Sequence, residues 1–472
     1  MVTPPAAFSA LSVDLGSSSV KVIRGDVDDA GTRLSAPRTL AHQPVRRGPY
    51  LEWDVEQLVL DVVAEESRHA TGRQLAVSLD SWGDGLVFLD RHGRRVGPVR
   101  CYRDEGLTRA ADLMRRRGLP EVVAERTGCV IGIDSTLGQL LALLDERPGW
   151  LAEVDRVVPL VDHLGTVLTG DAGAASPVGL SPASTSGFLD PRTGRVDRGL
   201  LDLLGVPASW IPEPAAELRT AGTIAAERLA PGVRGVVVKV AGHDTATALV
   251  ADPARAPGRC YVSLGSWAVV GAVVHPDHRR AAPFPTLSPV MHEATAEGDL
   301  RVNRNVPALR LVQQLEREQL GRAATPVERL VLFPEPDGWE HAPAIDVFAL
   351  DVRRPVVEQV QRWGRAAGRP ADTAEQQIRE VLRGIAWAVA RTVDDLVAAG
   401  VARPDAGVWV CGGGVQARAL PVWLAELTGW SVELGPVAAS AVGGVLGTVS
   451  VVRPDGPGAR RPPQKKEQTW ST

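Results

Sequence analysis

One short pattern occurs twice in this chain and narrows the fold more than any other feature. Val13-Asp14-Leu15-Gly16-Ser17 and Val262-Ser263-Leu264-Gly265-Ser266 each run from apolar residues into a Gly-Ser tip. A second apolar run follows each tip, Val20-Lys21-Val22-Ile23 in the first copy and Trp267-Ala268-Val269-Val270 in the second. Apolar alternation on both sides of a Gly/Ser tip predicts a β-hairpin. Two such hairpins, each opening one half of a 472-residue chain, predict a duplicated α/β domain rather than one long core. The halves are expected as domains over 1–250 and 251–452. Asp252-Pro253 and Ala256-Pro257-Gly258 mark the hinge, and a Pro-, Gly- and Lys-rich stretch over 453–472 is expected as a disordered tail.

Periodicity places the remaining elements. Trp53-Asp54 opens a helix with Asp54 expected as N-cap and Gln57 completing a capping-box pattern. The apolar run 75–79 predicts a buried strand ending at Asp80-Ser81-Trp82-Gly83, and 86–89 and 96–99 predict further strands. Residues 137–144 read as a helix, 157–168 as an apolar block and 170–190 as an ordered loop. The β-branched run 236–241 predicts a strand that delivers Gly242-His243-Asp244-Thr245 to its end. Helices are expected over 306–320, 374–399 and 415–427, and strands over 407–411 and 431–434. Residues 437–452 fall short of the ~20 needed to span a bilayer and contain Ser and Gly throughout, so they predict a buried Gly-rich helix.

Lys and Arg total 52 against 56 Asp and Glu, a net charge of −4, which argues against a surface built for nucleic acid. Cys101, Cys129, Cys260 and Cys411 form no C-x-x-C pair, which speaks against structural zinc or a disulfide framework and for a cytoplasmic setting. Two other metal readings fail. His292-Glu293 lacks the second histidine of a zincin because position 296 is Ala, and His275-Pro276-Asp277-His278 reads as a solvated turn.

Phosphate chemistry fits better. A strand turning on Gly16-Ser17-Ser18 exposes backbone N–H groups and hydroxyls that cradle phosphate oxygens. Asp14 before the tip suits Mg²⁺, and Lys21 after it neutralises phosphate charge. A plain surface hairpin satisfies the same pattern, so the second tip at Gly265-Ser266 carries weight. Gly412-Gly413-Gly414, between a predicted strand and helix, allows a phosphate or ring close to bare backbone, although a tight turn uses glycine the same way. Asp244 at a strand end is a candidate general base, with His243 beside it. Trp82 offers a flat apolar face of the kind found in sugar pockets, and equally suits a core.

Together these motifs resemble the FGGY carbohydrate kinases of the actin-like ATPase superfamily, over nearly the whole chain to about residue 450. Asp80-Ser81-Trp82-Gly83, Tyr102-Arg103-Asp104, His243-Asp244-Thr245-Ala246, Ser263-Leu264-Gly265-Ser266-Trp267 and Gly435-Pro436-Val437-Ala438-Ala439-Ser440 sit nearest the motifs of the family's rhamnulose kinases. The resemblance implies two actin-like, ribonuclease H-like α/β domains around a central cleft, in a monomer or homodimer without membrane or nucleic-acid partners. It implies ATP-dependent phosphorylation of a ketose hydroxyl, L-rhamnulose at its 1-position, with L-fuculose, D-xylulose or a related polyol as alternatives and a non-catalytic sugar sensor as the rival class. Asp244 would accept the proton. Trp82, Gly83, His243, Thr245 and Asn305 would face the sugar. Ser17, Ser18, Lys21, Gly265, Ser266, Gln313, Gly412 and Gly413 would line ATP, and Asp14 would serve Mg²⁺. The sugar-facing strings depart most from the family: Gly83-Asp84-Gly85, Glu105-Gly106-Leu107 and His292-Glu293-Ala294-Thr295 stand where it has Gly-Val-Asp, Ser-Arg-Thr and Asn-Glu-Gly-Gly.

Overall fold

The computed structural model describes residues 7–17, 19–132, 135–171, 177–190, 193–274, 290–321, 343–352 and 354–455. Ser18, the 275–278 turn and the tail beyond 455 lie outside them. The first hairpin forms as its alternation requires. Strand β1 (Phe8–Leu15) is buried along its whole length and pairs antiparallel with β2 (Ser19–Asp28), setting Asp14 opposite Lys21. Strands β3 (Gly31–Leu34) and β4 (Arg38–Ala41) both add to β2.

Helix α1 (Glu56–Ser67) begins one residue later than expected. Its N-cap is Val55, without a side-chain bond, because Asp54 is engaged by Arg47 and Gln57 turns forward to Asp61 at 2.7 Å. Strand β5 (Gln74–Ser81) then pairs parallel with β1, which places Asp80 level with Asp14. The 157–168 block resolves into a short strand, Arg156–Pro159, and helix α2 (Leu160–Thr169), and the expected 170–190 loop contains a helical turn at Leu180–Ser184. Strand β6 (Arg219–Thr223) is antiparallel to β7 (Arg234–Lys239), which runs parallel to β5. The sheet order is β6-β7-β5-β1-β2-β3. Its three central strands are parallel and largely buried, which explains why they read as continuous apolar runs. The chain leaves β7 through Gly242 into the short helix α3 (Asp244–Leu249).

The second half repeats the plan. Strand β8 (Cys260–Leu264) pairs antiparallel with β9 (Trp267–Val273), and β9 pairs with β10 (Leu300–Pro307). The helix expected from 306 starts later, as α4 (Leu309–Leu320), because Val306 and Pro307 are held in the ladder opposite Ala268 and Trp267. Helix α5 (Ala374–Ala398) opens on a true capping box between Thr373 and Gln376 and packs on β9 and α4. Strand β11 (Val408–Cys411) lies parallel to β8, then a 3-10 turn over Gly413–Gln416 delays helix α6 to Ala419–Thr428, and β12 (Val432–Leu434) lies parallel to β11. The order β10-β9-β8-β11-β12 and its strand directions match β3-β2-β1-β5-β7. The repeated Gly-Ser tip is therefore the mark of a repeated sheet.

The structure separates into two units, Met1–Ala251 with His292–Leu300 and Ser440–Thr472, and Asp252–Met291 with Arg301–Ala439. This differs from a contiguous division in that the last helix, α7 (Ala439–Val452), belongs with the first sheet. Glycines explain its position. A Cβ on Gly443 would overlap the Thr247 carbonyl, and one on Gly444 would overlap Ser12 and Ser78 at the centre of the sheet. Gly443→Val is expected to destabilise the protein by about 1–3 kcal/mol through overpacking, read as a lower urea midpoint. An unchanged midpoint would show that this backbone approach is not tight.

Candidate active site

Three adjacent parallel strands end in carboxylates. Asp14 closes β1, Asp80 closes β5, and Asp244 follows β7 by way of Gly242. The Ser81 N–H donates to the Gly242 carbonyl at 2.9 Å, extending the ladder so that the ends of β5 and β7 stay side by side. Ligands of parallel α/β sheets gather outside such carboxyl ends.

The three groups sit in different environments. Asp14 is buried and its Oδ2 lies 3.3 Å from the Lys21 ammonium, whose side chain is 35% exposed. Burial raises the Asp14 carboxyl above its ordinary range against the pull of Lys21, and the Asp244 charge adds to the rise. Asp14 in turn raises Lys21. Asp80 is completely buried, and no donor reaches either of its oxygens. Burial, then the charges of Asp14 and Asp244, push its carboxyl well above the usual range. Asp244 is the accessible member, with its side chain 33% exposed. It opens α3 with His243 as N-cap, and its Oδ1 accepts from the Thr245 N–H at 2.5 Å and the Thr245 hydroxyl at 3.2 Å. His243 Nε2 lies 3.3 Å from the same oxygen, and its Nδ1 is 4.0 Å from Glu293. Thr245 and His243 therefore orient the Asp244 carboxylate.

The first Gly-Ser tip is tied to the predicted sugar face. Gly16 N–H closes the turn on the Ser19 carbonyl at 3.0 Å, His42 Nε2 bonds the Gly16 carbonyl at 2.6 Å, and Arg103 donates to the Ser17 carbonyl at 3.2 Å. The His42 ring stacks on Trp82 (6.3 Å, 18°), and Trp53 lies 4.6 Å from Trp82. Trp82 thus belongs to an aromatic cluster reaching from the tip to Tyr102. Gly83 follows it with its carbonyl held by the Thr185 hydroxyl at 2.8 Å. Asp80, His42 and Arg103 escaped the sequence reading as site residues. Asp80 carried a signal, an apolar strand ending in Asp as at Asp14, and Arg103 lay within the Tyr102-Arg103-Asp104 motif.

The other candidates lie in the second unit. Gly265 and Ser266 offer their carbonyls to the first N–H groups of α4, from Ala308, Leu309 and Arg310 at 3.2 Å, and Gln313 lies one turn further along that helix. Gly412 has φ +90°, and a Cβ there would meet the Leu264 carbonyl oxygen at 2.5 Å, so only glycine fits. Gly413 has open space where a side chain would stand. The second tip, Gln313 and the glycine turn are thus brought together around the end of β8. Asn305 is an exposed residue of β10, opposite Val269.

His292-Glu293 lies on a strand, Met291–Ala294, with His292 Nδ1 bonded to the Gly128 carbonyl at 2.9 Å, so a helical zinc motif is excluded. Among the described residues no three His, Cys, Asp or Glu side chains form a metal cage. All four cysteines are free and buried, and burial pushes the thiols of Cys129, Cys260 and Cys411 up to about 12.

Comparison with known proteins identifies the family. The N-terminal domain model of the FGGY family of carbohydrate kinases matches residues 9–251, half of the chain. The chain belongs to the FGGY family and is a carbohydrate kinase. Among relatives, it is 29% identical over 444 residues to a rhamnulokinase of Mannheimia succiniciproducens, covering 92% of this chain and 88% of that one. It is 30% identical over 385 residues to a rhamnulokinase of Yersinia pestis (strain Pestoides F), covering 78% and 74%. Its fold superposes on gluconate kinase from Lactobacillus acidophilus with a TM-score of 0.72 at 13% identity, covering 96% of this chain and 90% of that one.

Proposed function

We propose that this protein transfers the γ-phosphoryl group of ATP to a ketose hydroxyl, with L-rhamnulose as substrate and its 1-hydroxyl as acceptor. The observation that carries the transfer chemistry is the set of three carboxylates at parallel strand ends with Lys21 on one of them. The rhamnulokinase relatives support the sugar.

Asp244 takes the proton of the attacking hydroxyl. It is the exposed carboxylate, and Thr245 and His243 fix its direction. Lys21 offsets charge on the phosphates. Asp14 and Asp80 are the residues that would hold Mg²⁺. They fit because Asp80 has two buried oxygens that no donor reaches, and a hard cation suits such oxygens. Mg²⁺ is bound through one or two carboxylates plus substrate phosphates and waters, and when bound it neutralises phosphate charge. Trp82 and Gly83 form the apolar wall for the sugar. Gln313, Gly412 and Gly413 attend the nucleotide. Among the described residues no helix is long and apolar enough to cross a membrane; with four buried free thiols, a cytoplasmic site is proposed.

ADP release measured across ketoses and polyols with Mg²⁺ tests the substrate. L-rhamnulose is expected to give the highest kcat/KM. A higher value for L-fuculose or D-xylulose would reassign the sugar while leaving the transfer chemistry in place.

A further inference from the structure

His42 stands where β4 reaches the first Gly-Ser tip. Ala41, the last residue of β4, pairs with Ser19, the first residue of β2, so the chain next delivers His42 to Gly16. Packing fixes its ring. One face stacks on Trp82 (6.3 Å, 18°), and Trp53 meets the ring edge-on at 5.4 Å and 61°.

The bond His42 makes defines where its hydrogen sits. A carbonyl oxygen only accepts, so Nε2, 2.6 Å from the Gly16 oxygen, carries a hydrogen. Nδ1 is buried and has no partner. A second proton there would be a buried N–H without an acceptor, under the repulsion of the Arg103 charge. The ring is therefore neutral, with its hydrogen on Nε2. Burial above all lowers the imidazole pKa, against the pull of the Gly16 carbonyl, and Arg103 lowers it further.

That bond acts on the most pliable residue of the tip. Glycine has wide backbone freedom, so the peptide planes flanking Gly16 depend on bonds to hold them. The plane before it is tied by the Gly16 N–H to the Ser19 carbonyl at 3.0 Å. The plane after it is tied by His42. In a trans peptide the C=O and N–H point in opposite directions. Holding the Gly16 carbonyl therefore turns the Ser17 N–H away from the imidazole, where no acceptor among the described residues takes it.

We propose that His42 is a positioning residue for the first tip: by holding the Gly16 carbonyl it presents the Ser17 N–H to the phosphates of ATP. The role rests on the phosphate reading of this tip; the placement of the hydrogen on Nε2 does not. Two substitutions separate the bond from the packing. His42→Phe keeps a ring on Trp82 and has no N–H to give. His42→Gln loses the ring, but its amide nitrogen is as many bonds from the backbone as Nε2 and can donate to the same carbonyl.

Calorimetry with MgATP is expected to show affinity lower on the order of 10–100-fold in His42→Phe, the range for one hydrogen bond to a charged group, and largely restored in His42→Gln. KM for ATP should follow, with KM for the sugar unchanged. Nitrogen-15 NMR at pH 7 is expected to show a protonated Nε2 and a bare Nδ1, signals absent from both variants. Equal affinity in wild type and folded His42→Phe overturns the positioning role. So does an equal loss in both variants, which would make the ring a packing element alone. A proton on Nδ1 overturns the assigned ring state and the bond argued from it. Wild-type protein that binds no ATP would overturn the kinase reading and the positioning role together, while the NMR signals, recorded without ATP, still test the bond.

Discussion

Asp244→Asn is expected to lower kcat by ~10²–10⁴-fold while ATP still binds. Of the three strand-end carboxylates, Asp14 and Asp80 are enclosed, and only Asp244 presents a third of its side chain outward. An asparagine there still accepts from the Thr245 N–H and hydroxyl, so the local fold should hold, but it cannot take a proton at neutral pH. The loss should not be total. Phosphoryl transfer passes through a loose transition state in which positioning and charge stabilisation outweigh the base, and the Lys21 charge remains. ADP release at saturating sugar gives kcat, and calorimetry with ATP gives binding. Full turnover by Asp244→Asn would move the base elsewhere, whereas parallel loss of ATP affinity would make Asp244 a ligand-binding group.

What could be read before folding, and what could not, divides by distance along the chain. The two hairpins were legible because alternation and a Gly-Ser tip are local, and the Asp14–Lys21 pair follows directly from hairpin register. Asp244 was legible as a polar residue ending a β-branched run. Asp80 ends its strand in the same manner, yet its meaning depends on parallel pairing with β1, and register between segments so far apart is not encoded in either alone. The Asp54 cap failed for a similar reason: Arg47 reaches back across a turn and takes the carboxylate. Pro307 kept strand geometry because its partner is Trp267, not because its own neighbours disfavour a helix. His42 carried no sequence mark at all, and Arg103 only its place in the Tyr102-Arg103-Asp104 motif, which says nothing of the tip. Their bonds to the Gly16 and Ser17 carbonyls arise only when a connecting loop folds over the tip, and they join the aromatic cluster around Trp82 to the predicted phosphate turn.

Asp80→Asn is expected to produce opposite effects on the empty and the loaded protein. In metal-free buffer, wild-type protein carries a wholly buried carboxyl beside Asp14, and no third group donates to its oxygens. Leaving a buried polar group unsatisfied is costly, and a nearby carboxylate adds repulsion. An asparagine amide can donate to Asp14 and brings no charge, so the variant should melt about 2–4 °C higher for each kcal/mol gained. With Mg²⁺ the order should reverse. A ligand that binds only the folded state stabilises it by about 2.7 kcal/mol at 100 times its Kd, and wild-type Tm should climb accordingly. The variant should climb little, because an amide cannot replace the carboxylate charge; its Mg²⁺ affinity should fall on the order of 10–100-fold or more. Thermal unfolding with and without Mg²⁺ reads both effects without any turnover. Equal Mg²⁺-induced shifts in the two proteins would leave Asp14 as the metal residue and reduce Asp80 to a buried neighbour. A variant less stable than wild type in metal-free buffer would instead show that the Asp80 carboxyl is well satisfied by sharing a proton with Asp14. The two readouts therefore separate a carboxylate kept for a cation from one kept for the fold.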